Sequence, residues 1–397
     1  MEDLLLLIHR MPYPPNKGDK IRSYHLLKHL AQNYRVHLAT FIDDADDWQH
    51  VPTVQALCAS SHFAKLNPLM GRVRSLVGLM ANESLSLRYY QDAGMRAWVE
   101  RTMSAHPIRR IVVFSSQMAQ YAEPYGGARR VVDFCDVDSD KWRQYADNKR
   151  WPMSALYRHE ARQLLRYERK VALESDASLF VSDPEAELFR QLAPESRAKI
   201  GFFNNGVDTD YFSPLRSYDN PYKPGERALV FTGAMDYWPN VDAVQWFAAE
   251  VFPKLLAKDA RLRFYIVGAR PSQAVLALAQ NPGVVVTGTV PDVRPYIAHA
   301  EVAVAPLRVA RGIQNKVLEA MAMARPVVVS PQALEGIEAA PGTDLVLADG
   351  APAFVSAVSN LLNQADGALG PAARAAVESL YSWPSNLARI DARLECT

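Results

Sequence analysis

Lys316 and Glu319 stand three residues apart in 311-RGIQNKVLEAMAMARPVVVS-330, so on a helix they share one face. Ahead of them the apolar run VAVAPL (302–307) ends at Arg308, and the loop passes Arg311 and Gly312 to a helix that begins near Ile313 to Asn315. Free amides at a helix start, together with Lys316, can neutralise a diphosphate, while Glu319 accepts hydrogen bonds from ribose hydroxyls. That division of labour suits a nucleotide. The competing reading is a surface Lys–Glu pair, worth under about 1 kcal/mol. Position at the carboxyl end of a strand favours the ligand.

Three further strand-to-helix junctions have residues suited to ligands. In 12-PYPPNKGDKIRSYHLLKHL-30, Gly18 allows close backbone approach, and Lys17, Lys20 and Arg22 would surround a phosphate. The stretch is neither a Walker loop nor a GxGxxG fingerprint, and an ordinary turn into a helix explains it equally well. In 232-TGAMDYWPNVDAV-244, Gly233 ends a strand and Asp236, Tyr237 and Trp238 fill the loop, either packing on the sheet edge or facing a ligand. In 286-VTGTVPDVRPYIAHAEVAVAPL-307, backbone groups around Gly288, Thr289, Val290 and Pro291 are placed to read the rim of a nucleobase.

These junctions need strands whose carboxyl ends line up. Apolar runs at 4–9, 35–41, 109–116, 129–135, 177–182 and 199–205 alternate with helical patterns, and the rhythm repeats at 229–233, 263–268, 284–288, 302–307, 326–330 and 344–349. Such runs are parallel strands buried on both faces, so the expected fold class is α/β with two doubly wound Rossmann-like domains. The expected division is 1–213, a Pro/Gly/Ser-rich linker at 214–227, a second domain at 228–380, and a helix at 381–397 that crosses to pack on the first domain, with Leu387, Ile390 and Leu394 at helical spacing. Residues 153–174 read as one long helix whose Glu160, Arg162, Arg166, Glu168 and Arg169 form a solvated charged face. Residues 65–90 read as a covering helix or as an amphipathic element touching lipid.

The 397 residues suit two cores. A net charge of +1 excludes bulk attraction to nucleic acid. Cys58, Cys135 and Cys396 lie far apart without metal spacing, which fits a reducing compartment. The opening apolar run, Leu4 to Ile8, is shorter than a secretory core or a bilayer span, so the expected location is cytoplasmic. Residues 65–90 and the basic helix around Arg162 to Arg169 are the elements that would touch an inner membrane.

With these residues in view the chain resembles retaining GT-B glycosyltransferases of family 4. The stretch 203-FNNGVDTDYFSP-214 resembles the family's interdomain signature, 288-GTVPDVRPYIAHAEVAVAP-306 its base-side loop and strand, and 317-VLEAMAMARPVVVS-330 its donor helix. More narrowly, 11-MPYPPNKGDKIRSYHLLKHL-30, 133-DFCDVDSDKWRQYA-146 and 231-FTGAMDYWPNVDAV-244 resemble sugar transferases associated with bacterial exosortase/PEP-CTERM exopolysaccharide systems. The resemblance implies two domains facing a cleft, a nucleotide-sugar donor as co-substrate with no cofactor, and a saccharide or lipid-linked saccharide acceptor. It also implies front-face displacement, in which the departing phosphate takes up the acceptor's proton and the protein stabilises the leaving group.

Two departures change the expected site. Glu319 matches the second of the family's two glutamates, but Arg311 stands in place of the first, and the basic pair expected after Gly233 is replaced by AMDYWPN. The expectation is that Arg308, Arg311 and Lys316 do the diphosphate work, or that Arg311 instead pairs with the carboxylate of a uronic acid donor. Gly18, Lys20, Gly233, Thr289, Val290, Gly312, Ile313 and Glu319 complete the expected donor set. Asp138, in the acidic cluster Asp133, Asp136, Asp138 and Asp140, either binds acceptor hydroxyls or caps the following helix. Asp136-Val137-Asp138 has metal-site spacing but sits on the acceptor side, so no required metal is expected. A sugar-nucleotide epimerase of the same architecture and a non-catalytic nucleotide-sugar-binding scaffold are the alternative readings.

Overall fold

The computed structural model describes residues 1–15, 18–66, 71, 75, 82–147, 149–310, 313–363 and 367–395. Two separate apolar cores divide the chain into one unit of Met1–Asn205 with Asn386–Thr397 and another of Gly206–Ser385. The stretch 214–227 falls within the second unit.

In the first unit the apolar runs form β1 (Glu2–Ile8), β2 (Tyr34–Ile42), β3 (Ser60–Lys65), β4 (Arg110–Phe114), β5 (Arg129–Cys135), β6 (Ala177–Phe180) and β7 (Ile200–Phe202). They pair in parallel in the order β3-β2-β1-β4-β5-β6-β7. The second unit holds β8 (Arg227–Thr232), β9 (Leu262–Val267), β10 (Val284–Gly288), β11 (Val302–Ala305), β12 (Val327–Val329) and β13 (Val346–Leu347), parallel in the order β10-β9-β8-β11-β12-β13. Residues Asp3 to Ile8 of β1 and Ala228 to Thr232 of β8 are all buried, as helices on both faces of a parallel sheet require. In each sheet the strand order reverses beside its first strand, between β1 and β4 and between β8 and β11. The carboxyl ends there are where a doubly wound sheet opens a crevice for ligands.

The helices that bear on function are α1 (Gly18–Asn33), α2 (Asp138–Asp147), α3 (Met153–Glu174), α4 (Asp183–Leu192), α5 (Trp238–Trp246), α6 (Asn315–Ala322) and α7 (Trp383–Glu395). The charged face read along α3 needs correcting at two positions, because Glu160 and Glu168 are fully buried. Glu160 accepts hydrogen bonds from Ser84 Oγ at 2.8 Å and the Ser86 N–H at 3.0 Å, satisfying donors at the start of the short helix Leu85–Tyr89. Glu168 accepts from the Ser139 N–H at 3.3 Å; burial, with the nearby Asp138 charge, pushes its carboxyl up to about 8. Arg162, Arg166 and Arg169 do face solvent.

From Asn386 onward, α7 belongs to the first unit. Leu387, Ile390 and Leu394 are buried, the His29 ring meets the Asp391 carboxylate at 2.8 Å, and Arg110 Nε donates to the Leu394 carbonyl at 3.1 Å. In the second unit, Gly206 of the Asn-Gly-Val-Asp stretch lies under Trp383, whose indole Cδ2 would be 2.7 Å from an added Cβ, and the Val207 N–H donates to the Tyr381 carbonyl at 2.7 Å. No helix among the described residues is long and apolar enough to cross a membrane.

Candidate functional site

At the carboxyl edge of the second sheet, β8 ends at Thr232 and Gly233 turns the chain toward α5. Asn240, buried in the first turn of α5, folds back so that its Nδ2 donates to the Ala234 carbonyl at 2.9 Å. Only the amide nitrogen can donate to a carbonyl, so the amide oxygen is left to accept from Lys316 Nζ, which it does at 2.5 Å. Lys316, in the first turn of α6, also holds its ammonium 4.7 Å from the centre of the Phe231 ring. An added Cβ on Gly233 would come 2.7 Å from Asn240 Nδ2 and 3.5 Å from Lys316 Cε. The neighbouring strand end is as tight, since a Cβ on Gly268 would lie 1.7 Å from the Gly233 carbonyl oxygen. Glycine at these positions leaves bare backbone at the rim beside β8 and β9, and Gly288 continues it at the end of β10.

The lysine is therefore seated on a neutral amide and an aromatic face. Among the described residues neither Lys316 nor Glu319 makes an ion pair. Burial pulls the Lys316 ammonium down to about 8 despite the attraction of Glu319, and burial pushes the Glu319 carboxyl up to about 7 despite Lys316. Two groups poised near neutrality at a switch point, one cationic and one acidic, can receive an anion and a hydroxyl together.

Other expected residues are placed differently. Arg308 is exposed, with Nε donating to Asp242 at 2.9 Å, so its charge is already engaged. Thr289 is exposed and Val290 half-buried just beyond β10, and Ile313 is half-buried beside Gly336. Tyr237 and Trp238 are exposed rather than packed on the sheet. Arg311 and Gly312 lie outside the described residues.

At the carboxyl edge of the first sheet, Gly18 opens α1 with nothing within 4 Å of an added Cβ, so the backbone there is open to approach. The basic residues expected around it need correcting. Lys20 is buried, with Nζ on Asp47 at 2.6 Å, and Arg22 is fully buried, with Nε on Asp133 at 2.7 Å and its guanidinium 3.4 Å from the centre of the Phe203 ring. Both side chains are buried, and each compensates a buried aspartate. Lys17 lies outside the described residues. Asp138 opens α2 and accepts from Lys141 at 3.2 Å and from Gln117 Nε2 at 3.3 Å, while Asp136 accepts from the same lysine at 2.6 Å.

His9 was not singled out by its sequence. It follows β1, stacks on Phe114 with ring centres 5.7 Å apart, and sets Nε2 3.6 Å from Asp19. Arg10 beside it bridges Asp19 at 2.9 Å and Asp43 at 3.0 Å. A single His after a five-residue apolar run has no periodic signal, and only the strand order shows that it stands at a switch point. Among the described residues the group able to gather round a cation is Asp3, His37 and His106. There His37 Nε2 already lies 2.9 Å from Asp3 and Nδ1 2.7 Å from Ser60 Oγ, at the amino ends of the strands.

Fold and site together define a class: two parallel-sheet α/β units of the kind found in GT-B glycosyltransferases. Residues 226–364 match the family model described as "Glycosyl transferases group 1", so the second unit carries a glycosyltransferase group 1 domain. Sucrose-phosphate synthase from Thermosynechococcus elongatus is similar in structure with a TM-score of 0.63 at 16% identity, over 99% of this chain and 98% of that one. WaaG, a glycosyltransferase involved in lipopolysaccharide biosynthesis, gives 0.62 at 16% identity over 98% and 99%. The Anabaena protein HepE, solved with UDP and glucose, gives 0.62 at 13% identity over 99% of each chain. At these identities the likeness is one of fold. No curated protein matches the sequence.

Proposed function

We propose that this chain is a retaining, metal-independent glycosyltransferase of family 4 that moves a hexose-like sugar from a nucleotide-sugar to a saccharide or lipid-linked saccharide in bacterial exopolysaccharide synthesis of the PEP-CTERM-associated kind. It works in the cytoplasm, with a peripheral contact to the inner membrane. The observation that carries the donor assignment is the seating of Lys316 on Asn240 beside Gly233, with Glu319 one turn on, inside the group 1 domain. The bound UDP and glucose of the Anabaena neighbour support a UDP-sugar.

In this reading the first-turn amides of α6 and Lys316 take the diphosphate, and Glu319 accepts from the ribose. Thr289 and Val290 present backbone to the base, and the bare rim at Gly233 admits the phosphates. Arg308 joins them on leaving Asp242, and Arg311 pairs either with the diphosphate or with a sugar carboxylate. The bond from anomeric carbon to phosphate oxygen breaks as the acceptor oxygen attacks the same face, and the departing diphosphate takes the acceptor's proton. Asp138 orients acceptor hydroxyls, and the open backbone at Gly18 is available to a phosphate. No cofactor enters, because the nucleotide-sugar is itself a substrate.

A thermal-shift panel of UDP-, GDP-, ADP- and CMP-sugars on wild type and Glu319→Ala tests this, since a ligand of the native state raises Tm by mass action. One nucleotide class should raise Tm, and Glu319→Ala should shrink the rise; transfer in the presence of EDTA should persist. Donor binding without transfer would leave the scaffold reading, donor turnover without acceptor the epimerase, and no shift from any nucleotide would overturn the donor assignment.

A further inference from the structure

The turn between α2 and α3 carries side chains that the transfer chemistry does not use. Trp151 is 82% exposed, and Tyr145 and Met153 flank it at 53% and 41%. Lys149 and Arg150 beside it are exposed as well. Large apolar side chains gathered at one tip are unfavourable in water unless something covers them.

Along the hairpin lies a cavity of about 400 Å³, lined by Arg143, Arg158, Arg162, Ala155, Ala161 and Leu165 together with Asp140. Ala155, Arg158, Arg162 and Leu165 recur at intervals of three and four, so they share one face of α3, whose first residue lies two positions after Trp151. The cavity thus has aliphatic side chains and three guanidinium groups in its lining, with the Asp140 carboxylate beside Arg143. Among the described residues no carboxylate pairs with Lys149, Arg150, Arg158 or Arg162, whereas Arg143 is held by Asp140 at 2.7 Å and lies 3.7 Å from Asp147. Asp147 and, at the far end of α3, Glu174 are exposed acids on this hairpin, and Asp140 is committed to Arg143 and to Gln144 Nε2 at 2.6 Å.

We infer that the α2–α3 hairpin docks on an anionic phospholipid bilayer, a lipid phosphate seated between Arg158 and Arg162 with its hydrocarbon along Ala155, Ala161 and Leu165, and Trp151 and Met153 entering the interface. The inference deepens the peripheral contact of the proposed function and rests on that reading. A bilayer is the partner whose chemistry matches every part: an indole prefers the boundary between water and hydrocarbon, arginines beside it meet phosphates, and an apolar groove with a cationic rim takes an amphiphile rather than a free ion. Each basic residue near an anionic surface adds severalfold to partitioning, and salt screens the effect.

The test is co-sedimentation of the full chain with vesicles of phosphatidylcholine alone or mixed with phosphatidylglycerol. Wild type should pellet with the mixed vesicles, less so at high salt. Trp151→Ala and the double variant R158E/R162E should each lower partitioning about tenfold or more. Both should keep the wild-type nucleotide-sugar shift in Tm, because neither touches the second unit's rim. Equal pelleting of the variants, or equal binding to neutral vesicles, overturns the proposal. So does a Tm rise from inorganic phosphate without any vesicle binding, which would make the cavity a site for free phosphate. The vesicle result stands apart from the nucleotide panel, so failure of the donor assignment and failure of docking are read separately.

Discussion

Lys316 and Glu319 titrate close together, and their shifts give a signed expectation. A diphosphate is held best by protonated Lys316, whose pKa lies near 8, so affinity for a nucleoside diphosphate should fall as pH rises through about 8. Ribose hydroxyls are accepted best by ionised Glu319, whose pKa lies near 7, so affinity should also fall as pH drops below about 7. The pair titrates as a unit, and the measured values belong to both groups. Isothermal titration with UDP across pH 6 to 9 should show a maximum between the two limbs. Lys316→Ala should lose tenfold or more in affinity, about 1.4 kcal/mol or more, and flatten the alkaline limb. A limb that survives the substitution would assign it to another group. The pair was legible because its spacing follows an apolar run and a Gly. Asn240, which fixes the lysine, was visible only as a residue after Pro239, since nothing in the sequence says that its amide folds back across the strand end. Lys20 and Arg22 misled for the opposite reason: a basic residue after a glycine looks the same whether it faces a ligand or a buried aspartate.

At the scale of elements, the rim depends on how closely β8 and β9 approach. An added Cβ at Gly268 would meet the Gly233 carbonyl oxygen at 1.7 Å, a clash with backbone that no side-chain rotation relieves. Gly268→Ala should therefore destabilise the second unit by about 3 kcal/mol or more, read as a lower midpoint in urea with the slope unchanged. Gly18→Ala, with open space around the new methyl, should leave the midpoint within about 0.5 kcal/mol of wild type. A loss at Gly18 equal to that at Gly268 would contradict the packing described. The central strands were legible because strands covered on both faces are apolar at nearly every position. β3 was not, since SSHFAK sits at the sheet edge and is only partly buried. The long helix was read at its observed bounds, Met153–Glu174, yet its two inward glutamates were invisible in the pattern. A buried carboxylate that satisfies amides and hydroxyls far along the chain leaves no periodic trace.

At the scale of the whole molecule, each unit has its own core, and the chain's last helix contributes to the first. Leu387, Ile390 and Leu394 are buried, and complete burial of such side chains is worth about 1.5–3 kcal/mol each. Together that is comparable with the roughly 5–15 kcal/mol that holds a whole domain folded. The helical spacing of these three residues was readable. The partner surface was not, because His29, Arg110 and Arg129 reach α7 from separate elements hundreds of residues away. Ending the chain at Ser385 should therefore lower or abolish the first unit's melting transition. The second unit keeps its core and Asn240, Lys316 and Glu319, so its transition should still rise with the nucleotide-sugar that stabilises wild type. Calorimetry of the shortened chain with and without that ligand distinguishes the cases. A single unchanged transition would mean that the helix adds nothing to the first core, whereas loss of both transitions would mean that the two cores do not melt independently.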